Sequence, residues 1–239
     1  MSPAVETSTN PEPLPAATSG PQARRSHPWD RTIMALGEAI ALLLLGASAG
    51  LLLARGDDRD PPAVDSVDVG FVQDMSVHHE NAVQMASWAR DHTDDPAVLQ
   101  LAYDIESGQT AQIGQMQGWL VLWDAPSQAT GGYMRWMPAT GDGMAMDHAA
   151  MRSARMPGMA SPEDLAQLRT TPGAGADALF LQLMLRHHEG GVSMLQYAAR
   201  WADRPQVANL ATQMLTAQTT ESQLMRQMLA DRGSSPLPS

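Results

Sequence analysis

Two short stretches hold side chains able to do chemistry: Met75-x-x-His78-His79-Glu80 and Met184-x-x-His187-His188-Glu189. Residues three and four apart share a helix face. A helix therefore sets Met75 and Met184 one turn before the imidazoles, and Met85 and Met194 two turns beyond His78 and His187. Imidazole and thioether together suit soft or borderline ions, chiefly copper, whereas carboxylate-only shells suit Mg, Ca or Mn. A second group comprises Met134, Met137, Met144, Met146, Met151, Met156 and Met159 with His148, seven thioethers within 26 residues. Flexible thioether clusters can wrap Cu(I) or Ag(I). Plainer readings stand beside both. A buried His is often a hydrogen-bonded core residue, a Met stripe is often packing, and a Met-rich loop can be a hydrophobic cover or a sacrificial target of oxidation.

What raises the His pairs above the plain reading is their duplication. Phe71–Leu120 aligns with Phe180–Leu229 at a constant offset of 109, without gaps, with 18 of 50 positions identical. Each half reads as one structural unit used twice. In the first helix Phe71, Met75, His78, Ala82, Met85 and Ala89 fall on one face, matched by Phe180, Met184, His187, Gly191, Met194 and Ala198. Asp/Pro turns at 94–96 and 203–205 start a second helix in each half. These carry Val98, Leu101, Ile105, Gln109, Gln112, Met116 and Leu120, or Val207, Leu210, Met214, Gln218, Glu221, Met225 and Leu229. Four apolar stripes are most simply buried in an antiparallel four-helix bundle, an all-α fold. Gln109, Gln112, Gln218 and Glu221 then face the imidazoles as hydrogen-bonding partners, or are simply satisfied core polar groups; Glu80 and Glu189 lie off the stripe as outer partners of the imidazoles or as solvated side chains. A long Gly-, Pro- and Met-rich connection, 124–176, joins the hairpins and holds one short helix candidate at Ser161-Pro162-Glu163-Asp164.

Composition narrows the classes. The chain of 239 residues has no Cys, no Lys and 17 Met, and its 15 Arg against 26 acids leave a net charge of −11. Thiolate zinc sites, iron–sulfur clusters, disulfides and cysteine nucleophiles are excluded, and nucleic acid is an improbable partner for so acidic a chain. Residues 1–31 read as a disordered tail, 56–68 as a linker and 232–239 as a second tail. Between the first two lies an apolar run, Ile33–Ala54, broken only by Glu38 and long enough to cross a bilayer of about 30 Å. Arg24, Arg25 and Arg31 precede it, whereas Arg55 and Arg59 are mixed with Asp57, Asp58 and Asp60. The positive-inside bias places the N-terminus in the cytoplasm and 69–231 outside, with 32–55 as a single transmembrane anchor. The rival is a cleaved signal segment ending near Ala47-Ser48-Ala49, which would release a secreted protein.

Several enzyme signatures are missing: Glu-x-x-His, His-Glu-x-x-His, Gly-x-Ser-x-Gly and the phosphate-binding glycine loop. His27 and His92 have no counterpart in the other half. The segments Phe71–Met85 and Met156-Pro-Gly-Met159 through Met194 resemble the bacterial domain-of-unknown-function family 305, over roughly Asp68 to Ala230. The resemblance implies a ferritin-like bundle, usually secreted or membrane-anchored, and for some members copper binding through His and Met with a role in copper tolerance. Met75, His78, His79, Met85, Met184, His187, His188 and Met194 match its pattern. Its second-helix Gln-x-x-Glu survives as Gln218 and Glu221 but is Gln109 and Gln112 in the first half, which implies an asymmetric site.

These readings converge on a membrane-anchored exterior protein that binds Cu(I) or Cu(II), for buffering, tolerance or delivery, with no catalytic residues and no organic cofactor. The partners expected are a metal ion and the membrane, with a homo-oligomer compatible and any protein partner unidentified. The alternatives are a ferritin-like metal-dependent redox enzyme and an envelope interaction module whose His pairs are purely structural.

Overall fold

Proline and aspartate punctuate the helices. In the computed structural model, which describes residues 60–137 and 155–238, α1 spans Val67–His92, α2 Pro96–Leu122, α3 Pro162–Thr170, α4 Gly173–Trp201 and α5 Pro205–Asp231. The described residues contain no strand, and none of their helices is long and apolar enough to cross a membrane. The expected anchor at 32–55, and Met144, Met146, His148 and Met151, lie outside the described residues.

Asp95 starts α2 by accepting hydrogen bonds from the Ala97 and Val98 amides, with Pro96 in the first turn. The second half has Arg204 in that place and no side-chain cap. Asp68 of α1 serves instead, accepting from the backbone amides of Asp203 at 3.2 Å and Arg204 at 2.9 Å. Asp95 also pairs with Arg232 beyond the end of α5. These two links show that the start of α1 lies with the α4–α5 turn, and the end of α5 with the α1–α2 turn.

α1 packs on α2, α4 packs on α5, and the hairpins meet chiefly through α1 and α4. One apolar cluster contains Met75 with Met194, the other Met85 with Met184, so α1 and α4 run antiparallel and cross at the His pairs between the clusters. Every residue expected on the α1 and α4 stripes is buried. This order explains the long connection. α2 ends at the opposite end of the bundle from the start of α4, and a 27-residue helix is about 40 Å long.

Particular contacts pin this crossover. The Asp74 carboxylate accepts from the Met134 amide at 2.6 Å and from Trp136 Nε1 at 2.9 Å. Trp136 stands edge-on to Phe71 and lies over Gly70, where a Cβ would sit 2.5 Å from the indole. Further along, the Asn81 side chain donates to the Ala160 carbonyl and accepts from its amide. The Met156–Met159 turn needs Gly158 at φ +78°, and it approaches α4 so closely that a Cβ on Gly190 would lie 2.4 Å from the Pro157 oxygen. The short helix expected after Ser161 forms as α3, closed by a capping box between Ser161 and Asp164 and tied to α4 by Asp164–Arg186 at 2.6 Å. Met134, Met137 and Met156 are buried in the cluster around Met75, and Met159 packs against it. The described part of the Met-rich segment therefore covers the bundle.

Burial pushes the Asp74 carboxyl above its usual range, so its two hydrogen bonds rather than its charge justify its place. Asp74→Asn, which keeps an oxygen for both donors, is expected to match or exceed the parent stability at pH 7. Asp74→Leu orphans two buried N–H groups and is expected to cost about 2–4 kcal/mol in chemical denaturation. Equal damage from both variants would show that the carboxylate charge is what matters.

Candidate metal site

The crossing of α1 and α4 puts all four imidazoles of the His pairs out of solvent, each at 0% exposure. His78 and His187 stack across the pseudo-symmetric crossing, with ring centroids 3.8 Å apart and planes inclined by 36°. His187 and His188 centroids are 6.1 Å apart.

The four rings share one hydrogen-bonding arrangement. His78 Nε2 donates to the Pro157 carbonyl at 3.1 Å, and His187 Nε2 donates to the backbone carbonyl of His78 at 2.8 Å. His79 Nε2 meets Gln112 Oε1 at 2.8 Å, and His188 Nε2 meets Glu221 Oε2 at 2.6 Å. A carbonyl or carboxylate oxygen only accepts, so each Nε2 carries a proton, and in a neutral ring Nδ1 then holds the lone pair. All four Nδ1 atoms are buried without a hydrogen-bond partner in the protein. Imidazoles that ligate a metal are typically held in this way, one nitrogen fixed by an oxygen acceptor and the other free to donate.

The electrostatics agree. Burial, with smaller contributions from the neighbouring imidazoles, pushes His78 down to about 4 and His79 down to about 3, and lowers His187 well below 6.5. Those rings are neutral at physiological pH, the form that binds metal. Met75, Met85, Met184 and Met194 are buried on either side of the layer. Among the described residues no three His or carboxylate side chains are grouped to hold an ion, so a bound ion requires a rotated ring or thioether ligands.

The facing polar residues divide. Gln112 and Glu221 bond imidazoles, whereas both amide atoms of buried Gln109, and Oε1 of buried Gln218, have no partner. Glu80 is exposed and Glu189 pairs with Arg226 at 2.6 Å, so neither touches a ring. Sequence reasoning did not single out Asp74, Asn81 or Pro157. The paired glycines Gly190-Gly191, inside an otherwise regular helix, are the sequence signal that could have pointed to a close backbone approach.

An all-α protein with a duplicated, buried His layer between Met-lined clusters is the class that the fold and site define. Residues 68–229 match the family described as Domain of unknown function (DUF305), and the chain belongs to that family. Among solved structures it is similar to a candidate secreted DUF305 protein of Streptomyces coelicolor, at 40% identity and TM-score 0.65, covering 74% of this chain and 100% of that one. A DUF305 fragment from Deinococcus radiodurans matches at 32% identity and TM-score 0.56, over 72% and 99% of the two chains. CopM in its Cu(I)-bound form shares the fold at 24% identity and TM-score 0.51, over 69% and 96%; it has also been solved with Cu(II) and Ag bound. No curated protein matches the chain.

Neutral buried imidazoles make the apo fold acid-sensitive. As pH falls from 6.5 towards 4, the unfolded chain takes up protons that the folded core refuses. Stability is therefore present above pH 6.5 and is expected to fall through that window by about 1.4 kcal/mol per pH unit for each such imidazole, levelling off below about 3. Denaturant midpoints measured between pH 7 and pH 4 check this; a flat profile would contradict it.

Proposed function

We propose that this protein binds copper in the α1–α4 layer, outside the cytoplasm, and serves to buffer or deliver it. The observation that carries the reading is the set of four buried imidazoles, each with Nε2 held by an oxygen and Nδ1 without a partner. An orphaned buried polar atom costs about 1–3 kcal/mol, and four of them are a heavy charge on a fold whose net stability is about 5–15 kcal/mol. A soft cation uses those lone pairs. In this reading His78, His79, His187 and His188 supply nitrogen ligands and Met75, Met85, Met184 and Met194 are the thioethers within the same core. In this reading the one long connection between two hairpins belongs to a ferritin-like bundle. CopM, solved with Cu(I), Cu(II) and Ag, gives the same fold a precedent for such ions. Met144, Met146, His148 and Met151 are the remaining candidates for a capture arm.

Titration of the full-length chain against a competing Cu(I) chelator tests the site. The double variant His78→Ala/His187→Ala is expected to weaken copper affinity at least tenfold, about 1.4 kcal/mol or more. Met75→Leu/Met194→Leu, which conserves volume, is expected to weaken Cu(I) more than Cu(II). Unchanged affinity in the His double variant would remove the bundle site and leave the Met-rich segment as the only candidate.

The apolar run 33–54 serves as the anchor in this reading, with the bundle on the exterior face. A reporter that is active only outside the cytoplasm, fused after Ser239, is expected to be active and to fractionate with membranes. Activity in the soluble exterior fraction would mean that the segment is cleaved.

A further inference from the structure

A site with every donor at 0% exposure needs a way in, and the structure closes one face with backbone and leaves a small cleft near another. On one side of the imidazoles the Pro157-Gly158 backbone lies against Gly190, too close for any side chain to stand between them. On the other side α2 and α5 face each other across a cleft of about 30 Å³. Its lining includes the small residues Gly108 and Ala217 and the polar residues Gln109, Gln112, Gln218 and Glu221.

The polar groups form a graded series from solvent to the rings. Glu221, with its side chain about a quarter exposed at 27%, is the outer group and touches His188. Gln112 touches His79 in the same manner. Gln109 and Gln218, only 5% and 4% exposed, carry amide oxygens with no partner. The innermost step is short. A Cβ placed on Gly191 would lie 3.4 Å from Gln218 Oε1 and 3.8 Å from His78 Nδ1, so the amide oxygen and the free imidazole nitrogen flank the same small gap. Amide oxygens are poor ligands for a soft ion, so they can pass it inwards without retaining it.

We propose that the α2–α5 cleft is the route by which copper reaches and leaves the buried imidazoles, with Gln109 and Gln218 as transit ligands. This rests on the copper reading above and adds the path to it. Gly108 lines the cleft and a Cβ there meets nothing within 4 Å, so Gly108→Leu adds bulk at the cleft mouth and puts a good helix former in place of glycine. Gly114 on the same helix is equally open and lies outside the cleft lining, so Gly114→Leu is the control.

The experiment measures Cu(I) uptake from, and release to, a coloured chelator by stopped flow on the full chain, with helicity checked by circular dichroism. Gly108→Leu and Ala217→Leu are expected to slow uptake and release together by tenfold or more, with the dissociation constant changed less than twofold. Gly114→Leu is expected to change neither. Gln109→Leu/Gln218→Leu is expected to slow both rates in the same way. Unchanged rates in Gly108→Leu and Ala217→Leu would overturn the path while leaving the copper site standing. A dissociation constant that weakens in step with slowed uptake, at unchanged release, would also overturn it. Wild-type protein that takes up no copper would overturn the site and the path together.

Discussion

The structure depends on a layer of four buried imidazoles set across the middle of an otherwise apolar crossing. Burial of this kind is tolerated only where the polar atoms are satisfied, because the low-dielectric interior makes an unpaired donor or acceptor costly. The protein satisfies one nitrogen of each ring and leaves the other open. The arrangement fixes which nitrogen of each ring is held, and burial keeps His78, His79 and His187 uncharged. It is poor as a purely structural core and well suited to a soft cation.

Much of the remaining architecture serves that layer. The antiparallel crossing of α1 and α4 brings the two copies of one motif face to face, so that His187 donates to the backbone of His78. The crossover, which must run the length of the bundle, is used on the way to close one face: Pro157 accepts from His78, and Asn81 fixes Ala160 beside it. Duplication does not make the halves identical. Asp95 caps α2 directly, whereas α5 borrows Asp68 from α1. His79 rests on an amide and His188 on a carboxylate. One half of the layer thus carries a formal negative charge beside it and the other does not.

Much of this was legible beforehand because it is periodic. Stripes such as Phe71-Met75-His78 and Phe180-Met184-His187 follow from helical spacing, and every α1 and α4 stripe residue is buried. The roles of Gln112 and Glu221 were within reach for the same reason. Asp74, Asn81 and Pro157 were not, because their partners lie 60 or more residues away through a connection without periodicity. The Met-rich segment was legible only as two alternatives. Composition allowed either a capture arm or a hydrophobic cover, and Met134, Met137 and Met156 are buried in the core, since their neighbours Trp136 and Gly158 pin the chain against α1 and α4.

By itself the sequence determined the inventory and its repetition: two Met-x-x-His-His-Glu motifs, no thiols, and helices whose starts are written by Asp and Pro. Those are local properties, set by side-chain chemistry and a period of about 3.6 residues. The tertiary structure decided which nitrogen of each ring is held and which is free, which face is sealed and which cleft is open. These depend on where distant backbone carbonyls and amides arrive, and that is settled only when the hairpins cross and the connection between them is drawn across the bundle.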